Sequence, residues 1–190
     1  MKKILIAGDS FSADWSSTYE WWKMLPYEIT NISQAGSSEF KILKRIQEHD
    51  LTPYDGVIVF HTSPYRLYTE TNLLHKDSQT HSESCYVIND VLSKRGPIKS
   101  AMNKYLEYFY NDEYNMYCHQ KICNDIIEIT KQKKVLHCSG FNYDNICTIP
   151  NIITVDDLHR EYKGSVCHLN QNGNRYLKER IYQNMEKLLG

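Results

Sequence analysis

No stretch of this 190-residue chain approaches the ~20 consecutive apolar residues that a membrane-spanning helix requires. Met1-Lys2-Lys3 is followed by only Ile4-Leu5-Ile6-Ala7 before Gly8-Asp9. That run is shorter than the roughly 7–15 residues of an export signal's apolar core, so a cytosolic protein is expected. Charge of neither sign is in surplus: 22 Lys and Arg face 23 Asp and Glu, a formal net charge of −1. A general nucleic-acid binder carries a basic excess, so neither a nucleic-acid nor a membrane partner is expected, short of a local basic patch. Among Cys85, Cys118, Cys123, Cys138, Cys147 and Cys167 there is no Cys-x-x-Cys pair. The usual zinc spacings are therefore missing, and in a cytosolic chain the six read as reduced thiols. No glycine-rich phosphate loop follows the first apolar run, which argues against a nucleotide binder. Internal repeats and low-complexity tracts are also lacking.

What is present is ordinary for a soluble protein: 41% hydrophobic and 24% charged residues, in a length suited to one domain over residues 1–190. Fifteen tyrosines suit half-wet surfaces, where a ring packs and its hydroxyl stays solvated.

Short apolar runs alternate with helical patterns along the chain. Lys3–Ala7, Glu28–Ser33, Gly56–His61, Lys134–Cys138 and Asn151–Val155 read as strands, with Gly56–His61 the clearest central one. Thr18–Leu25 reads as a helix stopped by Pro26. Ser37 or Ser38 caps a helix reaching about His49, with Phe40, Leu43 and Ile46 inward and Ile42 at the margin. Helical spacing returns with Ile98, Met102, Tyr105, Leu106 and Phe109. It continues over Asn115–Lys131 with Ile122, Ile126 and Ile129 inward, and over Asn174–Leu189 with Leu177, Ile181, Met185 and Leu188. Residues 64–97 carry no sustained period. A loop of that length is an insertion over an active-site edge or a plain surface excursion. The alternation implies an α/β fold, a three-layer αβα sandwich around a mainly parallel five-stranded sheet. Ligands in such sheets gather at the carboxyl ends of the strands. That directs attention to Asp9-Ser10, Gly36, His61-Thr62-Ser63, Ser139-Gly140 and Asp156-Asp157.

Ser10 follows a buried strand and a glycine, a placement that points a hydroxyl into the crevice; Gly-Asp-Ser would serve equally as a helix cap. A serine becomes a useful nucleophile only beside a base. That base should sit in a loop before the last helix, where His168 lies, with Asn170 or Asn172 placed to cap.

Three blocks carry a resemblance to a known family. Ile4-Leu5-Ile6-Ala7-Gly8-Asp9-Ser10-Phe11-Ser12, Asn31-Ile32-Ser33-Gln34-Ala35-Gly36-Ser37-Ser38 and Cys167-His168-Leu169-Asn170-Gln171-Asn172-Gly173-Asn174 occur in the order of the SGNH (GDSL-like) hydrolases, and the chain resembles them from end to end. The resemblance implies a flavodoxin-like fold, Ser10 as nucleophile, His168 as base, and Ser10 and Gly36 N–H groups in an oxyanion hole.

Two blocks depart from the family. Where it has Gly-x-Asn-Asp, this chain has His61-Thr62-Ser63-Pro64-Tyr65-Arg66, so Thr62, Ser63 or His61 is the expected third donor and Arg66 places charge nearby. Asp9, His61 and Arg66 are expected to contact substrate. Where the family has an aspartate three residues before the histidine, this chain has Ser165. Ser165 or a carbonyl orients the imidazole as part of a Ser-His dyad, or Asp156 or Asp157 swings in, or the chemistry is lost. Trp15, Trp21 and Trp22 are candidates to line an acyl or sugar pocket, whereas Cys167 reads as a filler and His75 and His81 have no partners at metal spacing. The expected function is hydrolysis of a small acyl or O-acetyl ester, carbohydrate-linked in one version, through an acyl-enzyme and without metal or organic cofactor. Transfer of the acyl group to a sugar, or a non-catalytic binding protein on the same fold, are the alternatives.

Overall fold

A buried parallel strand is apolar on both faces, and the computed structural model uses both faces of β1 (Lys3–Ala7) and β3 (Gly56–His61). It describes residues 1–75, 78, 80–141, 148–149, 151–164 and 168–190, without the side chain of His159. Ile4, Ile6, Ile58 and Phe60 pack on one side with Trp21, Leu177, Ile181 and Met185. Leu5, Ala7, Val57 and Val59 pack on the other with Ile42, Leu43, Ile46 and Ile126. One residue of slip would exchange the two sets, so the alternation also fixes register.

The sheet adds β2 (Glu28–Asn31), β6 (Lys134–Ser139) and β7 (Ile153–Thr154), while β4 (Arg66–Tyr68) and β5 (Cys85–Val87) pair apart from it. Its order is β2-β1-β3-β6-β7, and every pairing is parallel. Helices α1 (Glu39–Gln47) and α4 (Asp112–Thr130) cover one face, and α5 (Asp156–Glu161) and α6 (Gln171–Leu189) the other. This is the expected three-layer sandwich. Ser38 caps α1 by accepting from Lys41 N–H at 3.3 Å, and Asn170 caps α6 by accepting from Gly173 N–H at 3.0 Å.

Four local expectations change. Residues 18–25 form only a 3₁₀ turn over Trp21–Met24. Neighbouring tryptophans cannot share one helical face, and tertiary contacts anchor Trp21 instead. Its indole donates to Phe11 O at 2.8 Å and packs 5.3 Å from the Phe60 ring, while Glu20 Oε1 accepts from Trp15 and Ser17 N–H. On α1, Phe40 faces outward against Tyr68, and Glu39 takes the buried position. Phe109 lies exposed just beyond α3 (Pro97–Tyr108). The last strand is trimmed to two residues. Residues 64–97 hold an antiparallel ribbon of β4 (Arg66–Tyr68) and β5 (Cys85–Val87), then α2 (Ile88–Ser93). Helix α2 packs with α3 around Ile88, Val91 and Met102 as a small satellite core. No helix of the described residues is long and apolar enough to cross a membrane.

Candidate active site

The turn after β1 is held against β3. A Cβ on Gly8 would stand 2.6 Å from Phe60 Cβ and 2.5 Å from Ser12 Oγ, so only glycine lets the backbone approach so closely. Asp9 O then accepts from Ser12 and Ala13 N–H, which turns Ser10 out over the carboxyl end of the sheet. Gly36 follows β2 at a φ of +76°, a region where an L side chain is strained. His168 is presented by the loop before α6. Gly164 N–H donates to its carbonyl at 2.6 Å, and Asn170 N–H donates to Tyr162 O at 2.9 Å.

Ser10, Gly36 and His168 all line one cavity of about 820 Å³. Trp15 joins two of them: its indole N–H donates to Ser10 O at 2.9 Å, and its ring lies 5.1 Å from the His168 ring. The Phe11 ring lies 5.7 Å from the same imidazole. Among the described residues, the N–H and Oγ of Ser10 and the N–H of Gly36 have no hydrogen-bond partner. The ribbon side of the cavity adds Arg66, Asn72, His75, His81 and Tyr86. His75 and His81 stack at 4.3 Å, and His81 meets Trp15 edge-on at 5.4 Å. Nothing in the sequence pattern marked that histidine pair as a wall of the site. Its two members join only because the insertion folds back, with Ala35 N–H donating to Thr80 O and Ser82 N–H to Ala35 O.

Asp9 turns inward rather than toward the cavity. Its Oδ1 accepts from Phe11 N–H at 3.0 Å, and its Oδ2 accepts from Thr62 Oγ and from Arg66 Nη2, both at 2.9 Å. Burial pushes this carboxyl up from its ordinary value; the Arg66 charge, the Phe11 N–H and the Thr62 hydroxyl oppose that push. Three donors converging on two oxygens make the carboxylate the form this pocket accommodates.

The residues expected to supply the third oxyanion donor are placed otherwise. Thr62 is buried, its hydroxyl spent on Asp9 and its N–H on Glu39 Oε2 at 2.9 Å. Ser63 Oγ accepts from Tyr65 N–H, and Ser63 borders a separate hollow of about 180 Å³ beside Glu39 and His119. His61 is fully buried between Glu39 Oε1 at 2.6 Å from Nδ1 and His137 Nδ1 at 2.9 Å from Nε2. It therefore cannot touch a substrate in the larger cavity. The candidate acids are likewise engaged elsewhere. Asp156 pairs with Arg160, and both oxygens of Asp157 accept from Arg180, at 2.9 and 2.6 Å. Ser165 and Cys167 lie outside the described residues.

Glu39, His61 and Cys123 also bring possible ligand atoms within 4.8 Å of one another. Both Glu39 oxygens and both His61 nitrogens already have hydrogen-bond partners, so this cluster holds together through its own bonds. The Glu39 carboxyl is buried, which raises its pKa, yet the adjacent His61, with His119 and the Thr62 N–H, more than offsets this and holds it below its ordinary value. Burial, with His61 beside it, drives His137 down to about 4 from 6.5. Between those pH values the unfolded chain binds a proton that the folded chain refuses, so stability falls as pH drops from 6.5 toward 4. Glu39 acts in the same direction lower down, losing its contribution as it protonates; Asp9, raised by burial, opposes. His137→Asn isolates the histidine. The unfolding free energy from urea titrations should decline less steeply between pH 6.5 and 4 than in the parent, by up to about 1.4 kcal/mol per pH unit, the weight of one proton. Parallel declines would show that His137 is not the group responsible.

The fold places the chain in a recognisable structural class. Its likeness extends over 95% of this chain and 98% of an acetyl xylan esterase, AlAXEase, at 13% identity and a TM-score of 0.53. TesA matches over 98% of this chain and 99% of its own, again at 13% identity and a TM-score of 0.53. These are SGNH-type hydrolases by fold, and the sheet described above is theirs. No protein-family model and no curated protein sequence matches the chain.

Proposed function

We propose that this chain is a serine-dependent hydrolase of small acyl esters that works through an acyl-enzyme. The observation that carries this reading is the meeting of Ser10, Gly36 and His168, from three separate loops, in one cavity, with the Ser10 hydroxyl and both backbone donors unspent among the described residues.

Ser10 Oγ attacks the ester carbonyl while His168 takes its proton. The oxyanion accepts hydrogen bonds from Ser10 and Gly36 N–H, donors fixed before the charge develops. Collapse of the tetrahedral species breaks the ester C–O bond, and His168 returns the proton to the departing alkoxide. Water then repeats the sequence on the acyl-enzyme and frees Ser10. Because Asp156 and Asp157 are engaged by arginines, the proton moves within a Ser-His dyad in this reading. The aromatic wall of Trp15, Tyr19, Trp22 and Tyr86 offers flat apolar surface to the body of a substrate, as sugar rings favour. With an acetyl xylan esterase sharing the fold, a carbohydrate-linked O-acetyl ester is the first substrate to try. If the same wall excludes water, a sugar hydroxyl replaces water as acyl acceptor.

A fluorophosphonate probe tests the reading. Wild-type protein should form one covalent adduct, located on Ser10 by peptide mass spectrometry. Folded protein that takes up no probe anywhere from about pH 6 to 9, where an imidazole base is active, is instead a binding protein on a hydrolase fold.

A further inference from the structure

Two backbone donors make an incomplete cradle for an oxyanion, and the side chains expected to complete it, Thr62 and Ser63, are held elsewhere. Arg66 stands in the right place. It opens β4, the first strand of the 64–97 insertion, and it lines the same cavity as Ser10 and Gly36. Its side chain is 6% exposed. The guanidinium spans the two loops that carry the backbone donors. Nη2 donates to Asp9 Oδ2 at 2.9 Å, one residue before Ser10. Nη1 donates to Ser37 O at 3.1 Å, one residue after Gly36. The Phe141 ring lies 5.6 Å from the guanidinium carbon and limits how far it can swing.

A guanidinium has five N–H donors, and only these two bonds are made to the described residues. Nε is buried and has no partner among the described residues. Nη1 and Nη2 each keep a second N–H beyond these bonds; leaving such donors unpaired in a site of low dielectric is costly, and an acceptor arriving in the cavity that Arg66 lines relieves that cost. The charge argues for which acceptor. Asp9 already balances Arg66 in the resting site, so the pair attracts a neutral ester weakly. Negative charge that develops on the carbonyl oxygen during attack gains the full benefit of the remaining donors. Selective attraction of that kind lowers the barrier rather than tightening substrate binding.

We propose that Arg66 is the third oxyanion donor, a catalytic residue brought to the site by the insertion. It donates a hydrogen bond to the tetrahedral oxygen and keeps its own proton throughout. The inference rests on the serine-hydrolase reading above, and the test separates the two. Hydrolysis of p-nitrophenyl acetate is measured for wild type, Arg66→Met, Asp9→Asn and the double variant, each subtracted for the Ser10→Ala background. Arg66→Met should lower kcat roughly 10²–10³-fold, the usual loss for one such donor, with KM changed less than about threefold. Added guanidinium ion should restore part of the rate, and Arg66→Lys should be intermediate. The double variant carries the decisive comparison, and because it removes both charges it remains informative where Arg66→Met does not fold. It should be slower than Asp9→Asn by roughly 10²–10³-fold, the loss expected for one oxyanion donor. A double variant as fast as Asp9→Asn would mean that Arg66 acts only by holding Asp9, overturning the proposal while labelled Ser10 leaves the hydrolase reading standing. Wild-type protein that neither labels nor hydrolyses overturns both.

Discussion

Ser10→Ala should leave a protein that folds as before and hydrolyses almost nothing. Its hydroxyl has no hydrogen-bond partner among the described residues, so deleting it removes no described bond. The stability change should stay within about 0.5 kcal/mol, the ordinary range for a substitution away from packed or paired groups. In a chain of this length that is a melting shift of about 1–2 °C. The kinetic change has no such cushion. Without Oγ there is no acyl-enzyme, and kcat should fall roughly 10⁴–10⁶-fold, to what the cavity and its donors achieve with water alone. Labelling by a fluorophosphonate should vanish. His168→Ala should differ from it in kind: the hydroxyl remains, so labelling persists at a much lower rate while turnover nearly stops. A Ser10→Ala protein that keeps a tenth or more of the parent's activity would move the nucleophile elsewhere and, with it, the whole mechanism.

The pattern of what could be read from the sequence has a physical cause. β3 is found where expected, at Gly56–His61, because a run apolar on both faces has few other uses. The caps at Ser38 and Asn170 depend on residues three apart in the chain, so local chemistry announces them. The carboxyl ends of β1 and β2 and the loop before α6 are fixed by the same logic, which is why Ser10, Gly36 and His168 line one cavity. Polar pairings inside the fold obey no local rule. Thr62 and Arg66 find Asp9 across separations of 53 and 57 residues, and nothing near Thr62 in sequence distinguishes a hydroxyl facing a substrate from one spent on a buried carboxylate. One signal was nevertheless available. Glu39, Ile42, Leu43 and Ile46 fall at i, i+3, i+4 and i+7, one stripe of a helix, and all four are buried. A carboxylate on an apolar stripe requires a buried partner, and His61 at the end of the neighbouring strand is that partner.

That partnership yields the largest stability effect expected of a single substitution here. Glu39→Ala removes the acceptor from His61 Nδ1 and from Thr62 N–H together, both in the fully buried interior. Orphaned buried donors cost about 1–3 kcal/mol each, and a broken buried pair about 3–5 kcal/mol, so a melting temperature lower by roughly 10 °C is expected. Glu39→Gln should fall between parent and alanine. Its single oxygen can accept from one donor, while its amide N–H faces the other unless His61 exchanges tautomers. Removing the imidazole as well discriminates between lost packing and lost pairing. His61→Leu introduced into Glu39→Ala deletes a fully buried orphan and fills space with hydrocarbon, and the bond it removes from His137 Nδ1 is that of a half-buried group, so the double variant should be more stable than Glu39→Ala alone. Lost packing predicts the reverse, a further fall with each deletion. The effect should also reach the cavity, because Thr62 donates to both carboxylates, by N–H to Glu39 and by hydroxyl to Asp9 beside Ser10. Loosening Thr62 lets Asp9 and the nucleophile turn drift, and a misplacement near 1 Å at reacting groups costs on the order of 10²-fold in rate. Glu39→Ala should therefore lose turnover while still folded, below its lowered melting point, although the carboxylate never touches substrate. Full activity at that temperature would confine Glu39 to the core and detach it from the chemistry.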